Sequence, residues 1–191
     1  MKMTFFEKYF VNRPGHTRAV ARRAQQRLSR ISHQAGWRYL DVGCGVGAAA
    51  RAIATTSDLE VTAIDVDPKQ ITLARAGPAR PNLRFLVMDA TRLDFRDEAF
   101  DIVAASMMTH HIPNWERAFS EMARVLRAGG YFIYHDFIFR SWVAQLGRRL
   151  FRFAGFPSTS ALESLAIKAG LVKVHEWQRP AQWDVIWLKA G

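Results

Sequence analysis

The stretch Asp41-Val-Gly-Cys-Gly-Val-Gly47 holds the densest chemistry in this 191-residue chain. Glycine at every second position lets the backbone turn sharply and approach a ligand closely, because no Cβ stands in the way. The Ala-rich run from Val46 to Thr56 suits a helix directly after the turn. A helix start offers free N–H groups and a positive dipole end to an anionic group, and a carboxylate or a pyrophosphate would suit equally well. The same residues match the dinucleotide fingerprint G-x-G-x-x-A at Gly43, Gly45 and Ala48. Asp65 ends the next apolar run, where an acid would bind ribose hydroxyls of either kind of cofactor. Taken alone, the loop fits both.

Three features favour a ligand that carries an amino acid. Asp41 precedes the first glycine by two residues, where a dinucleotide site usually keeps an apolar strand residue; a carboxylate there can face an ammonium. Gly47 tightens the turn. Two helical segments, 3–10 and 17–34, broken at Asn12-Arg-Pro-Gly15, precede the first strand. Further along, titratable groups follow two later apolar runs: His110 and His111 after the fourth, His135 and Asp136 within the fifth. His135 and His111 are the candidate acid–base residues. For any single histidine the ordinary alternative is a packed or surface ring. Alternation along a strand lets only one of His135 and Asp136 point to a given face.

These groups need a scaffold. Trp37–Val42, Glu60–Val66, Leu83–Met88, Ile102–Ser106 and Tyr131–Phe137 are short apolar runs. Asp67-Pro68 starts a helix, with Asp as N-cap and Pro at the first position. Asn114–Arg127 has apolar residues at 115, 118, 119, 122, 125 and 126, a helical stripe that Gly129-Gly130 should stop. Strands alternating with helices predict an α/β fold with a mostly parallel sheet. Val172–Gln178 and Trp183–Lys189 are joined by only four residues, so they are antiparallel neighbours. The expected architecture is a seven-stranded Rossmann-like sheet with one antiparallel strand near the C-terminus and helices on both faces.

In this order, the segments resemble the core of class I S-adenosylmethionine-dependent methyltransferases, in particular the small-molecule group that includes the ubiquinone and menaquinone enzymes. Tyr39–Gly47 resembles the first motif, Val61–Pro68 the second, Phe85–Ala90 the third, Phe100–Val103 with His110–Ile112 the fourth, and Arg124–Gly130 the run before strand five. The resemblance implies that S-adenosylmethionine is the cofactor. It implies a site of Asp41, Gly43, Gly45 and Gly47, of Asp65 and Val66, of Asp89 on the adenine amino group with the backbone of Ala90 on the ring, and of Ser106. Ala128 and Asp94 depart from the family's usual prolines, both at loop positions. The domain reading is one methyltransferase domain over 1–191, with N-terminal helices (1–36), a cofactor core (37–137) and a lid helix with the final strand pair (138–191). The resemblance also implies a lid from the segments before strand one and after strand five, where Tyr9 or Phe10 would close over the cofactor. Both segments are aromatic (Phe5, Phe6, Tyr9, Phe10; Phe137, Phe139, Trp142, Phe151, Phe153), which suits an apolar or aromatic small-molecule acceptor, lipid-like in character.

Composition sets the outer bounds. One cysteine, Cys44, excludes an intrachain disulfide framework and a multi-cysteine zinc site, and no metal is expected. Glu7 and Lys8 interrupt any signal-peptide core, and no apolar run reaches about 18 residues, so the expected compartment is the cytoplasm. The net charge of +10 is uneven: seven arginines and no acid lie between Asn12 and Tyr39, and Arg140, Arg148, Arg149 and Arg152 form a second cluster. Apolar and basic residues together in 137–153 are what a membrane-surface contact needs. The charge also motivates an RNA or protein methyltransferase, with nucleic acid the less favoured partner. Ser106-Met-Met-Thr109 lacks the Pro-Pro-aromatic motif of exocyclic base-amine methylation, and no cysteine is placed to attack a pyrimidine. A cofactor-binding protein without catalysis is the non-enzyme alternative.

Overall fold

The structure is a computed structural model and describes residues 14–150 and 154–191. The expected helix at 3–10, the lid residues Phe5, Phe6, Tyr9, Phe10, Phe151 and Phe153, and Arg152 lie outside the described residues. The elements run α1 (Pro14–Leu28), β1 (Arg38–Val42), α2 (Ala48–Thr56), β2 (Glu60–Asp65), α3 (Pro68–Arg75), β3 (Leu83–Val87), β4 (Phe100–Ser106), a 3-10 turn (Thr109–His111), α4 (Trp115–Val125), β5 (Leu126–Phe137), α5 (Ser141–Leu150), α6 (Thr159–Lys168), β6 (Leu171–Arg179) and β7 (Gln182–Lys189). The seven strands form a sheet in the order β3-β2-β1-β4-β5-β7-β6. β7 is antiparallel to both β5 and β6, while β1–β2, β2–β3 and β4–β5 are parallel. The expected Rossmann-like sheet with one reversed strand is therefore present. Chain order reverses between β1 and β4.

The described residues make up two compact units, one within 14–89 and one within 90–191. In the first, Leu40, Ile53, Leu59, Val61, Ala63, Ile64 and Ile71 form a core that seats β1 and β2 and holds the turn after β1. Asp67 caps α3 as expected: its carboxylate accepts from Lys69 N, and Pro68 takes the first position. In the second unit, the stripe on α4 buries Trp115, Ala118, Phe119, Met122 and Val125. Phe119 packs against Phe132 and Trp187, with ring centroids 5.1 and 5.7 Å away, and Tyr134 lies 6.0 Å from Trp187. This aromatic core fixes the register of β5 and so the positions of His135 and Asp136.

Three expectations are corrected. Gly129-Gly130 does not stop the helix; α4 ends at Val125 and the glycines lie inside β5. Phe100 pairs with Leu126 but Ile102 with Tyr131, so the extra residues bulge outward there. Pro14 and Gly15, expected within the break at 12–15, instead begin α1, where proline's missing N–H costs nothing. Helix α1 ends at Leu28, short of the expected residue 34.

Candidate active site

In residues 14–89 the glycine turn follows β1 as the sequence implies. Gly43, Gly45 and Gly47 all have positive φ, at 74°, 53° and 77°. Gly47 is the residue before α2, and a Cβ there would lie 2.5 Å from the Phe85 ring. Only glycine fits that position. Asp65 at the end of β2 braces the turn from the other side: Oδ2 accepts from Gly45 N at 2.9 Å and Oδ1 from Asp67 N at 2.9 Å. Val66, next in the chain, is 45% exposed and presents an apolar side chain at the same strand end. Asp89 is exposed and Ala90 buried, two and three residues past β3.

Asp41 is buried within β1, at 5% exposure. Burial pushes its carboxyl up to about 7; the Ala50 amide in the first turn of α2 pulls it down, and Asp65 nearby pushes it up again. Its Oδ2 has no hydrogen-bond partner. A second buried oxygen, Gln70 Oε1 on α3, is likewise unpaired and lies 3.9 Å from where a Cβ on Gly45 would sit. Sequence reasoning missed Gln70, because nothing in a helical polar residue marks it as turned inward. Two unpaired buried acceptors beside a glycine turn call for a ligand rich in donors.

In residues 90–191 a second cluster gathers at the ends of β4 and β5. The Asp136 carboxylate is fully buried. Its Oδ2 accepts from Met108 N (3.0 Å), Thr109 N (2.6 Å) and Thr109 Oγ1 (2.5 Å). Its Oδ1 accepts from Phe137 N (2.7 Å) and His110 Nδ1 (2.5 Å). Burial pushes the Asp136 carboxyl up, but the hydrogen bond and charge of His110, with Thr109 and Phe137, outweigh it and hold it below the ordinary range. The Thr109 hydroxyl also meets the Tyr134 hydroxyl at 2.6 Å. Met107, at the head of this turn, has φ 55°, an uncommon conformation for a side-chain-bearing residue and one that often marks a functional turn.

Of the sequence candidates here, His135 is buried, and its Nδ1 lies 3.1 Å from Ser106 Oγ on the paired strand. His111 is half-buried in the 3-10 turn, its ring 4.0 Å from that of His110. Strand alternation sends His135 and Asp136 to different partners, yet both reach the segment 106–110 because it folds back over the strand ends. The pairing of His110 with Asp136 was not foreseen. Tyr9 lies outside the described residues. Among the described residues no group of three metal-ligating side chains could hold a metal ion.

A glycine turn braced by a strand-end acid, in a chain with a sheet of this order, belongs to an α/β domain of Rossmann-like kind. The comparisons narrow this further. The family described as "Methyltransferase domain" matches residues 40–134, about half of the chain. The chain belongs to the class I S-adenosylmethionine-dependent methyltransferases, and S-adenosylmethionine is the cofactor of that family. A sterol 24-C-methyltransferase of Gibberella zeae is 35% identical over 127 residues, covering 63% of this chain and 33% of its own. The 2-methyl-6-phytyl-1,4-hydroquinone methyltransferase of Synechocystis is 29% identical over 171 residues, covering 80% and 54%. The chain thus spans a third to about half of the length of these relatives. Two solved structures share the fold. One is a methyltransferase in complex with the Haloferax volcanii Trm112 activator, with TM-score 0.78, 19% identity and both chains fully covered. The other is phosphoethanolamine N-methyltransferase 2 of Haemonchus contortus with S-adenosylhomocysteine, with TM-score 0.71, 17% identity, and 89% of this chain and 53% of that one covered.

Proposed function

We propose that this protein transfers the methyl group of S-adenosylmethionine to an apolar, lipid-like small-molecule acceptor, working in the cytoplasm. The observation that carries the cofactor half is the turn of Gly43, Gly45 and Gly47 between the Asp41 and Asp65 carboxylates. The donor-rich cofactor fits what is unpaired there. Asp41 would face its ammonium, Asp65 its ribose hydroxyls, Asp89 its adenine amino group, and Val66 with the backbone of Ala90 its ring. When bound, it supplies a methyl carbon on a cationic sulfur, and the thioether leaves as a neutral group.

The acceptor half rests on the second cluster. An O–H or N–H acceptor must lose a proton as its new bond to the methyl carbon forms. His110 is bonded there to the buried Asp136 carboxylate. Asp136 holds Nδ1 as the donor, which leaves Nε2 as the nitrogen that accepts a proton. We give His110 the base role, with the His111 ring tilted against it and His135 paired with Ser106 on the adjoining strand end. Asp136 is then a positioning residue. The lipid-like character of the acceptor is supported by the relatives, which act on a sterol and a phytyl hydroquinone by name.

Calorimetric titration tests the cofactor half. S-adenosylhomocysteine should bind and NAD should not; the reverse result would make the turn a dinucleotide site. For the acceptor, a general methyl-transfer assay over lipid-soluble phenols, amines and acids should find turnover on at least one class.

A further inference from the structure

We propose that α5 docks this protein onto the surface of an anionic lipid bilayer. The inference goes beyond the methyl-transfer reading and does not depend on it. Trp142, Leu146 and Leu150 on α5 are 62%, 49% and 61% exposed. They are spaced by four residues, so at about 100° per residue they fall within an arc of roughly 80°. Ala144 and Gly147 are the buried side of the same helix. A Cβ on Gly147 would lie 2.6 Å from the Phe156 ring. The helix is therefore seated by its small residues and turns its largest apolar side chains to the solvent, the reverse of an ordinary surface helix.

Charge names the occupant. From Phe137 to Pro157 the sequence holds arginines at 140, 148, 149 and 152 and no acid. Arg140 and Arg149 are exposed, at the head and near the end of the stripe. A nucleic acid would use the arginines but leave two leucines and a tryptophan against phosphate and water. A second protein would need a matching acidic and apolar face. An anionic leaflet satisfies both: headgroups meet the guanidinium groups, and the acyl boundary takes Leu146, Leu150 and the tryptophan ring. At ten residues α5 can lie in the interface but is far too short to cross, and among the described residues no helix is long and apolar enough to span a membrane. Such docking would bring a lipid-dissolved acceptor to the protein.

The test is co-sedimentation of the full chain with vesicles of phosphatidylcholine alone and of phosphatidylcholine mixed with phosphatidylglycerol. Binding should be at least about tenfold tighter to the mixed vesicles and should weaken as salt rises. Leu146→Glu and Arg149→Glu should each weaken it by about fivefold or more, with far-ultraviolet circular dichroism and S-adenosylhomocysteine affinity unchanged. Should Leu146→Glu misfold, Arg149→Glu carries the comparison alone. No binding to either vesicle overturns the proposal, as does binding that both variants retain. Retention on an oligonucleotide with no vesicle binding also overturns it, in favour of nucleic acid. A wild type that binds vesicles but not S-adenosylhomocysteine would sink the cofactor reading and leave this one standing.

Discussion

Asp136 and His110 are joined by a hydrogen bond of 2.5 Å between Oδ1 and Nδ1, with the carboxylate side chain 1% and the imidazole 17% exposed. The acid is locked in place by four further donors from residues 108, 109 and 137, so the ring is held from a rigid point. A histidine anchored in this way has a set tautomer and keeps one nitrogen for chemistry.

If His110 is the base, substituting it should cost the rate of methyl transfer and spare cofactor binding. His110→Gln should lower kcat by about 100-fold or more. Asp136→Asn should lower kcat by about tenfold with KM little changed, because the ring loses the acceptor that orients it. A purely structural role for the pair would lower the amount of folded protein and leave kcat per folded molecule as in the wild type. S-adenosylhomocysteine titration of each variant separates the two cases.

Asp41 carries a stability prediction of opposite sign from the usual carboxylate. Its folded value, raised to about 7, exceeds the unfolded one. Between about pH 4 and 7 the folded chain therefore binds more protons than the unfolded chain, and stability without ligand falls as pH rises through that window. Asp41→Asn should make the unliganded protein more stable at pH 8, by on the order of 2 kcal/mol, and change little at pH 4. It should also cost at least about tenfold in S-adenosylhomocysteine affinity at pH 8, the scale of one lost charged hydrogen bond. Thermal unfolding at both pH values decides the first point; no gain at pH 8 would mean that Asp41 is not a strained acid.

Arg124 staples the connection between β3 and β4. Its guanidinium donates to Leu93 O (3.0 Å), Phe95 O (2.8 Å), Asp97 Oδ1 (2.7 Å) and both oxygens of Glu121 (2.9 and 2.8 Å). Glu121 in turn accepts from Leu93 N at 2.8 Å. Arg124→Met keeps the aliphatic bulk and removes every one of these donors, so unfolding in urea should show a loss of about 2 kcal/mol. An unchanged midpoint would place the stability of this connection elsewhere.

What could be read from the sequence was local. The turn at 43–47, the Asp67-Pro68 helix start, the α4 stripe and the final strand pair each depend on neighbours within a few residues. Residues 110 and 136 are 26 apart and meet only because β4 and β5 run parallel in the observed register, with a bulge at 127–130 that no local pattern discloses. The same bulge explains why Gly129-Gly130 was misread: glycine pairs mark helix ends and strand bulges alike. Gln70 sits on a helix of mixed polarity, and its inward turn comes from packing against the glycine loop, a tertiary fact.

One carboxylate, Asp65, holds the amides of both Gly45 and Asp67. The two turns that frame the proposed cofactor site are thus tied at a single knot, and their shape is set during folding. Ordering a loop costs about 1–2 kcal/mol per residue. A cofactor arriving at a turn already so shaped meets little of that cost, and more of its contact energy is left as affinity. Replacing Asp65 would therefore loosen the receptor as well as remove a contact.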